Sequence, residues 1–437
     1  MSNRTAELIA ASPGEQLVLL VGTNPLPNLV AALCLLGEPS RAQLLFVYSS
    51  HTEVQCQKLE EALLGRGFTK QQFVRIPVEE ANPESISNEV VRHVQNLKGL
   101  IILHYTGGTK AMAVHAYRTL ETLFKARIIA AVQFSYLDAH SLSMHSIDSH
   151  GAMLRQHVGL ACEIPLQEVL RLHSRESSMK PAPLWPRTVQ AITELHAAQA
   201  GREAWKQWVA QTFLAEPKWP VPGETDPQQR DEAWKTWVRQ TLLWNSSAQR
   251  KWKPNSAVVF GETDQLAHVL QTLRAEAGIT GELSAAALKA QGGFKDTGAC
   301  GKWFEGEWIE SYVLGQVLAL KQRPGNPYYI GEAARDLQAI GPQQVQVDVA
   351  FMRGYQLFVI ACTTDKSLAK SKLLEAVVRA EQLGGAEARV ALVCCADDLA
   401  TLKAEVEDLL ATKVAVFSAA HLPVLQDKLS DWVDAVS

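Results

Sequence analysis

Residues 101–112, Ile-Ile-Leu-His-Tyr-Thr-Gly-Gly-Thr-Lys-Ala-Met, put an apolar run, two glycines and a lysine into one short stretch. Backbone N–H groups in a glycine turn, together with the positive end of a following helix, favour a bound anion. Lys110 adds a charge at that place, and Thr106 and Thr109 add hydroxyls. A similar junction stands near the start of the chain. There apolar Leu17–Val21 runs into Gly22-Thr23-Asn24-Pro25-Leu26-Pro27-Asn28 and then apolar Leu29–Leu36. Two such turns in one α/β unit predict a phosphate-bearing ligand held at the carboxyl ends of parallel strands. Gly22, Thr23, Asn24, Pro25, Asn28, Tyr105, Thr106, Gly107, Gly108, Thr109 and Lys110 are the residues expected to line it. Ser49 and Ser50, after the next apolar run, flank the same crevice. Neither turn is a P-loop or a three-glycine dinucleotide fingerprint. His104 ends a strand and reads as core or lining rather than as a catalytic group.

The elements that must position these turns alternate along the first part of the chain. Apolar runs at 17–21, 43–48, 73–78, 100–105 and 128–136 read as strands, and amphipathic segments at 27–37, 52–66, 84–97 and 110–126 read as helices. That alternation implies βαβ units and a mainly parallel sheet over roughly residues 15–140. At 437 residues the chain exceeds one compact core. It divides into a Rossmann-like domain (1–160), a linker with a helical insert (161–290) and a C-terminal α/β domain (291–437).

Composition excludes several classes. A net charge of −4 leaves no global basic footprint for nucleic acid, so any such contact needs local patches or metal ions. The seven cysteines are scattered, and Cys394 and Cys395 are adjacent rather than spaced as ligands, which predicts reduced thiols and no zinc site. Neither a signal-type leader nor an apolar run of membrane-spanning length stands out, so the expectation is a cytoplasmic protein.

The middle segment holds a duplication. Glu203-Ala-Trp-Lys-Gln-Trp-Val recurs as Glu232-Ala-Trp-Lys-Thr-Trp-Val, with proline-rich 217–227 between the copies. Trp205 and Trp208, like Trp234 and Trp237, are three apart and share a helix face. They read as anchors packing a helical insert, with a base-stacking platform as the other possibility.

The C-terminal part reads as a helix (Trp303–Leu320), two adjacent strands (Val345–Ala350 and Gln356–Cys362), a helix (Ser367–Leu383) and a strand (Ala388–Cys395). This order resembles the core of PD-(D/E)xK nucleases. In that core an acid on the helix, an acid on one strand and an acid-x-Lys on the next hold a divalent cation. The resemblance implies Glu310 and Asp348 as metal ligands for Mg²⁺ or Mn²⁺. The acid-x-Lys position reads Ala361-Cys362-Thr363, and Gln346 is neutral where another carboxylate often sits. Asp365 is the nearest replacement acid, and Lys366, Lys370 and Lys372 are candidates to reach back from the next helix, since a lysine stem delivers its charge from several backbone positions.

Taken together, Val21-Gly-Thr-Asn-Pro-Leu-Pro-Asn28 and Tyr105-Thr-Gly-Gly-Thr-Lys-Ala-Met112 resemble the CARF sensor domain of CRISPR-associated effectors. The tail from Trp308 through Asp348 to Gly385 resembles the nuclease domain of CARF–PD-(D/E)xK effectors of type III CRISPR immunity. The resemblance implies a homodimer that binds cyclic oligoadenylate, commonly cyclic tetra-adenylate, across a two-fold interface. Ligand would then switch on a metal-dependent endonuclease acting on DNA or RNA. The competing expectation is a ligand-binding regulator whose nuclease-like domain has lost catalysis.

Overall fold

The computed structural model describes residues 16–36, 42–173, 176–214, 252–253, 258–291, 293–340, 345–410 and 414–435. Five parallel strands form the heart of the first sheet: β1 (Gln16–Leu20), β2 (Gln43–Tyr48), β3 (Phe73–Pro77), β4 (Leu100–His104) and β5 (Ala131–Asp138). Helices Leu26–Leu35, Glu53–Leu64, Pro83–Val94 and Lys110–Lys125 connect them. β1 shows why these runs must be central strands. Leu17 and Leu19 enter one hydrophobic core while Val18 and Leu20 enter the core on the other face. A strand buried on both sides reads as a continuous apolar run.

The sheet order is β3-β2-β1-β4-β5-β6-β7. The chain winds outward from β1 to β3 and then returns to place β4 on the opposite side of β1. Such reversals open a crevice at the carboxyl ends of the two central strands. β6 (Ser143–Asp148) and β7 (Met153–His157) then add an antiparallel extension beyond the expected limit near residue 140. Their polar residues, Ser143, His145, Ser146, Arg155 and Gln156, hide them from an apolar-run reading.

The second sheet has the order β13-β12-β11-β10-β9-β8. Its strands are β8 (Glu176–Lys180), β9 (Ile330–Ile340), β10 (Val345–Arg353), β11 (Gln356–Thr363), β12 (Arg389–Cys394) and β13 (Val414–Phe417). β8 through β11 run antiparallel, and β11 to β13 run parallel. Helix Trp308–Lys321 contacts β9, β10 and β11, and helix Lys366–Gly384 packs on β11 and β12. The 161–290 segment, expected as a linker and insert, contributes β8 to this sheet, and its helix Pro186–His196 packs on Trp308–Lys321. The two sheets also share a core: Leu29 and Val30 belong to the same buried cluster as Leu357, Val359 and Leu373.

The first tryptophan copy is an anchor. Trp205 and Trp208 are buried, and their indole N–H groups donate to the Phe304 carbonyl at 2.8 Å and the Gly261 carbonyl at 2.9 Å. Phe213, Phe260 and Phe304 pack around Trp208. No indole face here is open to stack on a base. Trp234 and Trp237, in the second copy, lie outside the described residues.

Candidate functional site

The two glycine turns meet at the reversal between β1 and β4. A Cβ on Gly22 would lie 2.8 Å from the Gly108 nitrogen, and one on Gly107 would lie 2.2 Å from the Leu20 carbonyl oxygen. Gly108 adopts φ +72°, the left-handed region that a side chain disfavours. Only glycine lets these backbones approach so closely. Helix Lys110–Lys125 starts here, capped by Thr109, whose hydroxyl accepts from the Met112 N–H at 3.2 Å. Lys110 is exposed at the first helical position and makes no ion pair among the described residues. Thr23 and Ser50 are exposed, and Gly22, Asn24, Tyr105 and Gly107 are partly so.

Several of the residues expected to line a ligand also hold the turns in place. Asn28 is fully buried and donates to the Leu20 carbonyl at 3.0 Å, so it props the turn from beneath. The Thr106 hydroxyl accepts from the Leu137 N–H at 2.7 Å, tying the turn to β5. Pro25 is buried and precedes the first turn of helix Leu26–Leu35. Ser49 is buried, and its hydroxyl donates to Glu80 Oε2 at 2.6 Å. His104 is buried beside Ser135, and burial pushes its pKa down to about 3, so it stays neutral within the core.

Glu80 escaped the sequence reading. It follows β3, accepts from Ser49, and meets His51 Nδ1 at 3.1 Å, while its backbone carbonyl accepts from Thr109 at 3.2 Å. The Ser49 hydroxyl and His51 together hold its carboxyl below the ordinary carboxylate range. The signal available was position: Ser49, His51 and Glu80 all follow strands that end at the crevice.

The second site gathers around Asp348 on β10. Asp348 Oδ2 accepts from the Cys362 N–H at 2.8 Å, and Lys372 Nζ binds both carboxylate oxygens, at 3.1 and 2.9 Å. Burial opposes the charge on Lys372, but Asp348 outweighs it and holds the ammonium above its ordinary range. Of the three candidate lysines, this one alone reaches the site. Lys366 pairs with Asp398 at 3.5 Å and Lys370 with Glu405 at 2.7 Å, both on the surface. Helical spacing explains the choice, because Lys372 lies three residues after buried Ala369 and four before buried Ala376. Asp365, expected as a replacement acid, caps this helix by accepting from the Ser367 N–H at 2.8 Å. Its carboxylate is thereby committed to the helix end.

Glu310 projects from helix Trp308–Lys321, and burial pushes its carboxyl well above the ordinary range, helped by Asp348, Glu307 and Asp336. Asp336 was not anticipated. It sits within β9 at φ +49° and pairs with Lys180 at 2.6 Å. Gln346, Ala361, Asp348, Lys372 and Glu375 line a cavity of about 110 Å³. No three Cys, His, Asp or Glu side chains come together closely enough to hold a cation among the described residues. With both Asp348 oxygens on Lys372, this conformation does not fit a divalent ion. No helix among the described residues is long and apolar enough to cross a membrane.

The sheet orders together define a Rossmann-like α/β domain followed by a second, mixed-sheet α/β domain. Residues 16–136, which carry both glycine turns, match the family model of the Card1 CARF domain. No curated protein matches the chain by sequence. Among solved structures, the crystal structure of protein VC1899 from Vibrio cholerae matches at TM-score 0.61 and 17% identity, covering 97% of this chain and 99% of that one. At this identity the likeness is one of fold. A structure of a type III CRISPR defence DNA nuclease activated by cyclic oligoadenylate matches more loosely, at TM-score 0.43 and 13% identity, over 88% of this chain and 45% of that one.

Proposed function

We propose that the chain is a cyclic-oligoadenylate-responsive effector of CRISPR defence, with cyclic tetra-adenylate as its ligand and nucleic-acid phosphodiesters as its substrate. The observation that carries this reading is the meeting of the Gly22 and Gly107–Gly108 turns at the β1/β4 reversal, beside exposed Lys110, within the segment that matches the CARF model. Backbone N–H groups and one lysine suit a phosphodiester, and Asn24, Thr23 and Ser50 suit adenine edges or ribose hydroxyls. A two-fold-symmetric ring calls for two copies of this crevice, hence a homodimer. In the second domain, Glu310 and Asp348 are the proposed ligands of Mg²⁺ or Mn²⁺, with Lys372 the proposed partner of the scissile phosphate. Carboxylate oxygens are the donors these hard cations take.

A second reading, a ring-binding regulator without nuclease activity, is favoured by Ala361 and Thr363 standing where an acid and a lysine are expected. One assay separates the two. Purified protein with Mn²⁺ and cyclic tetra-adenylate should cut supercoiled plasmid or single-stranded nucleic acid, and Asp348→Asn should abolish cutting. If every substrate stays intact while the ring binds, the regulator reading stands.

A further inference from the structure

The crevice holds an acid among its donors. Backbone N–H groups at the glycine turns and Lys110 favour a phosphate, yet the loop after β3 brings Glu80 to the same end of the sheet. In the order β3-β2-β1-β4, two strands separate β3 from β4. The loop after β3 spans that gap, bonding Ser49 at the end of β2 and the Gly107–Lys110 turn at the end of β4. The contact with the turn uses backbone: the Thr109 hydroxyl donates to the Glu80 carbonyl at 3.2 Å. The carboxylate is a separate matter. Ser49 Oγ donates to its Oε2 at 2.6 Å, and His51 Nδ1 meets its Oε1 at 3.1 Å. A carboxylate has about four lone-pair sites, so both oxygens keep room for a further donor. The Glu80 side chain is 32% exposed and that of His51 79%, which leaves the carboxylate within reach of a ligand. Ser49 and His51 keep it ionised. So exposed a pair adds little to stability, and holding the fold together does not account for it.

We propose that the Glu80 carboxylate reads the ribose 2′-hydroxyl of the bound ring and so selects a ribonucleotide ring over its deoxy counterpart. The assignment rests on the ring-sensing reading and names the part of the ring that this acid meets. A phosphodiester offers acceptors only, so a carboxylate beside it is repulsive unless the ligand also brings a donor. Cyclic oligoadenylate brings two kinds, the ribose 2′-hydroxyl and the adenine amino group. The hydroxyl sits on the carbon next to one that bears phosphate, whereas the amino group lies at the far edge of the base. Glu80 is tied through Thr109 to the turn proposed for the phosphate, and Lys110 is the next residue. The hydroxyl is therefore the donor within its reach. An ionised acceptor makes the stronger kind of hydrogen bond. A deoxy ring leaves the same carboxylate facing a phosphate with no donor between them, and a site built around a ligand hydroxyl rejects the analogue that lacks it.

The test is calorimetric titration of the full chain with cyclic tetra-adenylate, with its 2′-deoxy analogue, and with the ring in which inosine replaces adenosine and the amino group is gone. Wild type should bind the ribose ring about tenfold or more tighter than the deoxy ring, the scale of one hydrogen bond to a charged group. Glu80→Ala should bring those two rings to within about twofold of each other. It keeps the backbone carbonyl that Thr109 uses, and a loosened turn would weaken both rings alike without moving their ratio. Glu80→Gln has the same shape and one acceptor oxygen, and should keep part of the preference. His51→Ala leaves the carboxylate and its Ser49 bond in place and should keep all of it. The ratio of adenine to inosine rings should be the same in wild type and Glu80→Ala. Equal binding of ribose and deoxy rings by the wild type, or a ribose preference that survives Glu80→Ala, overturns the assignment and leaves ring sensing in place. A change that falls on the inosine ratio instead puts the carboxylate on the amino group and overturns it as well. Should Glu80→Ala fail to fold, a wild-type ratio in Glu80→Gln has the same force. Failure of the wild type to bind the ribose ring overturns the ring-sensing reading itself, and the assignment falls with it.

Discussion

The glycine-turn crevice and the Asp348 site are built from different materials. At the crevice the working surface is backbone, and the glycines that permit it cannot be replaced without collision: Gly22 against Gly108, Gly107 against Leu20. Around Asp348 the groups that meet are side chains, and the lysine among them, Lys372, comes from a helix. A backbone-made site has to keep its residues in place. A side-chain-made site can move a charge to any position within a lysine stem's reach. The comparison teaches where to look when a motif breaks: beside the missing position in space rather than in sequence.

The largest effect that would sharpen this contrast is at Gly107. Gly107→Ala drives a Cβ toward the Leu20 carbonyl and the buried Asn28 amide, and should cost about 3 kcal/mol or more in denaturant unfolding of the full chain. A cost below roughly 0.5 kcal/mol, the range of ordinary surface changes, would break the claim that the two turns are locked backbone to backbone.

Acid should affect both domains through buried neutral histidines. Burial lowers His104 to about 3, and His173 and His196 to about 4, from 6.5. A folded pKa below the unfolded one means that the unfolded chain takes up protons first. Stability is therefore full above about 6.5 and falls as pH drops from there toward 4, read as a declining urea midpoint at pH 7, 5.5 and 4.5. His104→Phe should shallow that decline, and an unchanged slope would remove His104 from the cause.

The three lysines test the Asp348 site more finely. Lys372→Ala leaves Asp348 with the Cys362 N–H as its hydrogen-bond partner and should cost about 1–2 kcal/mol. Lys366→Ala and Lys370→Ala lose exposed pairs and should stay within about 0.5 kcal/mol. Equal costs for all three would erase the distinction drawn between them. The smallest effect has the opposite sign. Gly315 lies within helix Trp308–Lys321 with nothing near its would-be Cβ, so Gly315→Ala should stabilise by about 0.5–1 kcal/mol in the same unfolding experiment.

Legibility in the sequence followed burial. β1, β2, β4, β10, β11 and β12 read as apolar runs because both of their faces are covered. β9 did not, since Glu332, Arg335 and Asp336 interrupt it, and β6 and β7 did not because they extend the sheet with polar residues. Both glycine turns were legible, because the chain must place glycine where backbones touch. Lys372 was one candidate among three, and only the register of its helix against β10 and β11 selects it. Asn28, Thr106 and Ser49 read as ligand groups because polar residues near a turn do; in the fold Asn28 and Thr106 also brace the turns and Ser49 bonds Glu80. Glu80 and Asp336 were missed because each stands alone in sequence and acquires its neighbours only through the fold.

The central claim is that the glycine-turn crevice beside Lys110 is where the proposed ring binds, and calorimetric titration of cyclic tetra-adenylate tests it most directly. Wild type and Asp348→Asn should bind the ring equally, one ring to two chains, while Lys110→Ala should bind at least tenfold more weakly with its fold intact. Absence of binding to the wild type, or binding that Lys110→Ala leaves untouched and Asp348→Asn destroys, would contradict the account.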